Sequence, residues 1–249
     1  MTELDSSFTA IRHTPLFIKA VRFFEDVRLI SFKGRLIALY AFADDNMISP
    51  EMLKWKMGIG VVNESTGEIE HTSLEKWHID KREKNWTPCI AGNSLLLIRS
   101  FNPLIIYRVA DDIGNIELIT FRIAASFYYS EEKGEDWEHG ELHGGTPFIE
   151  HGEWHYSFVH AHRKDIIVKG THYWRYYNYT IARFNPATCE FQYYSNPLPV
   201  DATLTKVWCL FPCGIMEYIK GVIISYGVND CSAYLCSYSW DFIESCFDK

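Results

Sequence analysis

EKNWTPCIAGNSLLLIRSF, residues 83–101, reads in two halves. The second half, from Cys89, is a short apolar run, a Gly-Asn turn signal and a longer apolar run. That is the pattern of two antiparallel strands joined by a tight turn. The first half is different: two charges, an amide, a tryptophan and a proline stand together. Charged and amide groups are costly to bury without partners, and a strand needs none of them at its entrance. EKNWTPC is therefore either a polar turn ahead of a strand or the rim of a polar pocket.

The same apolar–polar–Gly–polar–apolar signature opens sets of strands at 29, 89, 148 and 210, about 60 residues apart. LISFKGRLIALYAF (29–42) turns at Lys33-Gly34, and MGIGVV with IEHTSL (57–74) forms a second hairpin. CIAGNSLLLIRSF is followed by LIIYRV (104–109) and IELITFRIA (116–124). FIEHGEWHYSFVHAH (148–162) turns at His151-Gly152 and leads to YWRYYNYTIARF (173–184) and CEFQYYS (189–195). VWCLFPCGIMEY (207–218), GVIISYG (221–227) and AYLCSYSW (233–240) close the chain. No stretch shows helical periodicity over three turns; EMLKWKM (51–57) is at most one or two turns. SEEKGEDWEHGELHGG (130–145) reads as a polar loop. Small antiparallel sheets repeated at even spacing point to an all-β chain, a β-propeller forming a single domain over 1–249, with a sandwich as the rival architecture. A propeller gathers the polar starts of its inner strands at one funnel.

With 47% hydrophobic and 16% aromatic residues in 249, the chain has ample material for a core. Aromatics favour strands, and they also pack on the apolar C–H faces of sugars. A net charge of -8 and the lack of a basic block argue against nucleic acid as a partner. No apolar run is long enough for a membrane helix. The N-terminal MTELDSSFTAIRHTPLF lacks the apolar region of a signal peptide. The seven cysteines show no CxxC spacing and read as free, buried thiols of a reducing compartment, so a cytoplasmic location is expected. His160 and His162 point to one strand face without an identified third ligand, so no metal is expected.

Four polar clusters stand at strand ends: Glu25, Asp26 and Arg28 in FFEDVRL; Lys84, Asn85 and Trp86; Gly144, Gly145 and Thr146 in HGGTP with His160 beyond it; and FPCG (211–214) with Tyr226 and Asp230. Such a set suits glycosyl transfer. An acid protonates the leaving oxygen, and carboxylates favour an oxocarbenium-like transition state. Lys84, Arg28 and His160 could hold a phosphate, and glycines let backbone N–H groups approach a substrate. Each cluster also has an ordinary reading: a surface ion pair at Asp26 and Arg28, turn residues at Lys84-Asn85, loop punctuation at Gly144–Pro147, a core histidine at His160, and a hairpin turn at Asn229-Asp230.

The motif order resembles the five-bladed propeller glycosidases and phosphorylases, in particular the family 130 β-mannoside phosphorylases and related mannosyltransferases. FEDVRL resembles the family's E-D-P-R segment and KNWTP its K-N segment. HGGTPFIEHGEWHYSFVH resembles its Gly-Pro-rich segment and the strand that follows. FPCGIMEYIKGVIISYGVND resembles its F-P-x-G strand and the Y-Y-G-x-x-D beyond. The resemblance runs over about residues 23–238 and rests on the order of short motifs. It implies a central-cavity active site in which Asp26 is the catalytic acid, acting through a substrate hydroxyl. Glu25, Arg28, Lys84, Asn85 and Asp230 would bind sugar or order the site, with His160 a phosphate ligand and the Trp86 ring in a subsite. Gly145, Thr146 and Tyr226 join the expected substrate-binding set. No cofactor is implied beyond inorganic phosphate or a sugar phosphate as co-substrate, and a carbohydrate is the partner expected.

The chain departs from that pattern at Val27, where the family has Pro, at Trp86, where it has a small residue, and at Ala161, where it has Gly. Only 22 residues precede FFEDVRL, where the family has a whole blade, so a reduced N-terminal blade is expected. Two functions stay open on these residues: an enzyme of glycosyl transfer, and a propeller that binds glycans or protein without turnover.

Overall fold

A computed structural model describes residues 1–19, 21–43, 54–77, 83–110, 113, 116–122, 141–168, 171–198 and 207–248. Two compact units are distinguished, Met1–Trp86 with Val109–Ile116, and Thr87–Arg108 with Glu117–Lys249.

In the first unit a two-stranded ribbon, β1 (Thr2–Leu4) and β2 (Ala10–His13), precedes a four-stranded antiparallel meander. Its strands are β3 (Phe23–Phe32), β4 (Arg35–Ala43), β5 (Trp55–Val62) and β6 (Ile69–Ser73), paired in chain order. Lys33 and Gly34 both have positive φ, 49° and 71°, in the two-residue turn between β3 and β4. That is the backbone a tight hairpin needs to match the strand twist. β4 is buried on both faces from Ile37 to Ala43, as an inner strand of a sheet covered on both sides should be. Ala38, Tyr40, Phe42, Val62 and Ile69 form the core with Ile18. Residues 55–57 of EMLKWKM, expected as a short helix, lie in β5; pairing with β4 overrides the local preference. Residues 51–53 of that segment, and 130–140 of the polar loop, lie outside the described residues.

The second unit contains three sheets. The first holds β7 (Thr87–Ala91), β8 (Ser94–Phe101), β9 (Leu104–Val109) and β10 (Ile116–Arg122). The second holds β11 (Leu142–His143), β12 (Ile149–His151), β13 (Trp154–Val168), β14 (Thr171–Asn185) and β15 (Glu190–Tyr193). The third holds β16 (Leu210–Tyr218), β17 (Gly221–Val228) and β18 (Ser232–Ser239), followed by a short helix α1 (Trp240–Ser245) that the periodicity did not predict. α1 is capped by Ser239, whose hydroxyl accepts from the Phe242 N–H, and it buries Trp240 and Ile243. The leading strands of the first two sheets lie side by side: Cys89 and Phe148 form a parallel bridge, and the Phe148 N–H donates to the Pro88 carbonyl at 2.8 Å. One apolar cluster ties β7–β9 to β13–β15 through Leu96, Ile106, Val159 and Phe184. A second ties β13 and β14 to β16, β17 and α1 through Phe158, Ile181, Ile224 and Ile243.

The four larger sheets begin at residues 23, 87, 142 and 210, at or a few residues ahead of the hairpin signatures at 29, 89, 148 and 210, and the fold is all-β, of the propeller class. No described helix is long and apolar enough to cross a membrane. All seven cysteines are free, but only Cys89 and Cys209 are buried, and Cys231 is exposed. The expectation of buried thiols fails at Cys189, Cys231 and Cys246, which fall in turns or beyond α1, and at Cys213 and Cys236, which lie half-buried within β16 and β18.

Candidate functional site

The first unit brings together five of the six residues expected of it. β3 does not run straight: its register with β4 passes from Glu25↔Ala41 to Arg28↔Leu39, so Asp26 and Val27 are extruded in a bulge. Bulges bend a strand and re-aim its side chains. Here the bulge puts Asp26 at φ 55°, a conformation that non-glycine residues rarely adopt and that concentrates at functional sites. Arg28, only 1% exposed, turns back beneath the bulge. Its Nη1 donates to the Asp26 carbonyl at 2.9 Å and its Nη2 to Asn85 Oδ1 at 3.2 Å. Asn85 is itself left-handed, at φ 62°. Beside it, Lys84 Nζ donates to Glu25 Oε1 and sits 3.8 Å from the centre of the Trp55 ring. Asp26, Glu25 and Lys84 are each partly exposed, above the buried guanidinium.

Two carboxylates, an ammonium and a guanidinium thus meet at one edge of the meander. They come from segments 57 and 59 residues apart. Trp55 was not anticipated, because its segment had been read as helical. Trp86 does not face an open subsite as expected. It is wholly buried, and its indole N–H donates to the equally enclosed Glu83 at 2.9 Å. The tryptophan and glutamate that made EKNW look polar satisfy each other inside the protein, while Lys84 and Asn85 take the outward positions.

In the second unit, Thr146 and Gly145 serve the scaffold, contrary to the expected substrate contacts. The Thr146 hydroxyl is fully enclosed, accepts from the Phe158 N–H and donates to the Pro147 carbonyl. Gly145 is a glycine because a Cβ there would lie 2.1 Å from the Phe158 carbonyl oxygen and 2.8 Å from Pro212. Neither neighbour yields easily, so Gly145→Ala should lower stability by about 3 kcal/mol, read as an earlier midpoint in chemical denaturation. An unshifted midpoint would remove the packing explanation. Tyr226 is likewise buried, stacked between Tyr179 and Tyr234.

His160 and Asp230 belong to one patch. His160, 1% exposed, packs on Phe211 at 4.5 Å between ring centres and lies 5.6 Å from His143, its cross-strand neighbour. His143 stacks on His162, and His162 on Tyr177 at 5.2 Å. Asp230, exposed in the β17–β18 turn at φ 55°, accepts from the Cys209 thiol. Its charge, after burial and the Arg175 guanidinium, is among the influences on the Tyr177 hydroxyl, which burial pushes up. The adjacent Asn229 uses its side-chain oxygen to cap the Trp208 and Cys209 N–H groups, and with both residues left-handed between β17 and β18 the hairpin-turn reading of Asn229-Asp230 holds. His143 was visible only as part of HGGTP; its place beside His160 follows from β11 pairing with β13. Among the described residues no group of three or more His, Cys, Asp or Glu is placed to hold a metal.

Burial holds the His143 imidazolium well below the usual histidine range. For His162 burial acts first, followed by repulsion from His143, Arg175 and Lys164. The unfolded chain therefore binds protons at these sites before the folded one does. Stability should be complete above about pH 6.5 and fall as pH drops toward the lowered folded-state values. A His143→Asn, His162→Asn double variant should show a flatter pH dependence of melting temperature between neutral pH and that range. An unchanged slope would mean that the stack does not titrate as its burial requires.

No protein-family model matches the chain, and no curated protein matches it in sequence. Solved structures do match in fold. A β-1,2-mannobiose phosphorylase from Listeria innocua aligns with a TM-score of 0.59 at 14% identity, over 91% of this chain and 61% of that one. A GDP-Man-dependent mannosyltransferase from Leishmania mexicana aligns with a TM-score of 0.53 at 12% identity, over 88% of this chain and 69% of that one. An α-L-arabinofuranosidase from Lactobacillus brevis aligns with a TM-score of 0.52 at 10% identity, over 87% and 73%. This chain thus spans less than two thirds of the Listeria protein, and what it shares with all three is the propeller fold.

Proposed function

We propose that the chain is a carbohydrate-active enzyme of glycosyl transfer on a mannoside-type substrate, with Asp26 as its general acid. The observation that carries this reading is the bulge that sets Asp26 beside Glu25, Lys84 and Asn85 above the buried Arg28. Two left-handed non-glycine residues, Asp26 and Asn85, hang on one guanidinium. Asp and Asn tolerate this backbone better than most residues, and here one buried guanidinium fixes the two of them side by side. Asp26 delivers a proton toward the leaving oxygen through a substrate hydroxyl. Glu25 adds negative charge against a developing oxocarbenium ion, while the Glu25 contact holds Lys84 in place. Lys84 and Asn85 supply donors for sugar hydroxyls. Within the second unit, His160 and Asp230 are proposed as sugar- or phosphate-binding residues on the motif order alone. The mannoside class draws support from the ordered motifs and from two similar folds whose proteins act on mannobiose or GDP-Man.

The test is a panel of mannosides, mannose phosphates and nucleotide sugars incubated with and without inorganic phosphate, with products separated and identified. Phosphate-dependent release of a sugar phosphate identifies a phosphorylase, and release of free sugar a hydrolase. Transfer from a nucleotide sugar identifies a transferase. Glycan binding without any product favours the non-catalytic propeller.

A further inference from the structure

Trp55, the first residue of β5, has no part in the proposed chemistry, yet it meets the segment that carries Lys84 and Asn85 twice. Its carbonyl accepts the Glu83 N–H at 3.0 Å, which docks that segment on the end of the strand. Its half-buried indole meets the next residue, with the Lys84 ammonium 3.8 Å from the ring centre. A cation at that distance is attracted by the negative face of the ring, and indole attracts it better than the other aromatic side chains do.

The strand in the middle leaves room for the contact. On β4, Ala43 is the cross-strand neighbour of Trp55, and Ala41 that of Glu25. Cross-strand neighbours share a face of the sheet, so two alanines lie between the indole and the carboxylate. They are 1% and 0% exposed, and neither has an atom beyond Cβ to rise between the larger side chains. The outer strands of such a trio stand about 9.5 Å apart. Lys84 comes from outside the sheet and spans that gap, with Glu25 Oε1 on one side of its ammonium and the Trp55 ring on the other. The Lys84 and Glu25 side chains are 31% and 42% exposed. An ion pair so open to water holds a long, flexible lysine only weakly. The ring supplies the second hold.

We propose that Trp55 is a positioning residue, whose indole face fixes the Lys84 ammonium beside Glu25. An ammonium has three donors, and one goes to Glu25. The others are thereby kept in a set place for the oxygen of a ligand. That last step rests on the reading of this site as sugar-binding. Trp55 acts through Lys84, so it should govern affinity rather than turnover.

Acylation of the folded chain by a water-soluble succinimidyl ester, read peptide by peptide in a mass spectrometer, tests the positioning without any substrate. Lys19, whose side chain is 74% exposed, is the internal reference. Trp55→Met and Trp55→Leu remove the ring, and in both Lys84 should react about fivefold faster relative to Lys19. Trp55→Phe keeps an aromatic face and should stay within about twofold of the wild type. Phe and Met are close in bulk, so this comparison separates the ring from the space it fills. Labelling is run where circular dichroism shows each variant folded. Wild-type labelling of Lys84 in the ringless variants would overturn the inference, and so would a Phe variant that reacts as fast as they do. On the substrate that the sugar panel identifies, Trp55→Met should raise KM about fivefold with kcat kept, and Trp55→Phe should leave both near the wild type. Faster labelling without a change in KM upholds Trp55 as the residue that positions Lys84 and removes the sugar-binding reading of Lys84 instead.

Discussion

Asp26→Asn should keep its fold and lose turnover by about a hundredfold to ten-thousandfold, the usual contribution of a positioned general acid. The choice of asparagine matters. Asp26 sits at φ 55°, where asparagine is among the few residues that rest comfortably. The substitution therefore leaves the bulge alone and replaces the ionisable carboxyl by an amide that cannot act as the acid. Thermal melting should be unchanged, and the loss should appear in kcat rather than KM, because the acid acts as the leaving group departs. Activity should be measured on the substrate that the sugar panel identifies, beside Asp26→Ala, which should lose both turnover and stability. Wild-type turnover in Asp26→Asn would remove the assignment of the acid.

Arg28→Met should be damaging twice over. The guanidinium is 1% exposed and its two bonds reach the Asp26 carbonyl and the Asn85 amide oxygen. Hydrogen bonds to a charged group contribute about 1.5–3 kcal/mol each, so a loss of about 3 kcal/mol of stability is expected, visible as a lower denaturant midpoint. The second effect falls on the site. Without that clamp the bulge of β3 loses its bond to Asn85 and leaves the partly exposed Lys84–Glu25 pair to hold the two segments, so both left-handed residues are able to relax. Activity should therefore fall under conditions where the variant is still fully folded. Arg28→Lys should not restore it, because an ammonium is a point donor and cannot span two acceptors as the planar fork does. A folded Arg28→Met variant with full activity would show that the bulge needs no such support.

The contrast between these residues and Trp86 explains what could be read along the chain. EKNW presents two charges, an amide and an indole, and nothing local says which of the polar ones turns inward with the indole. In the fold they divide: Glu83 and Trp86 turn inward and bond to each other, while Lys84 and Asn85 meet Glu25 and Arg28. Thr146 and Gly145 go the way of Trp86, into the scaffold of β13. His143, inconspicuous in HGGTP, becomes the neighbour of both His160 and His162 only when β11 pairs with β13. The expectation is that Asp26, Lys84, His160 and Asp230 gather at one funnel; Asp26 and Lys84 lie in the first unit and His160 and Asp230 in the second. The outward position of a given side chain in those clusters was not foreseeable.

Sequence alone determined the strands, the tight turns at Lys33-Gly34 and Gly152, the four successive meanders and hence the all-β class. These depend on alternation and turn chemistry, which act over a few residues. Tertiary structure alone decided the bulge at Asp26, the enclosure of Trp86 and Thr146, and the exposure of Trp174 on β14. Each of these is a competition for partners between segments far apart in the chain, and burial is settled by what arrives on the other side.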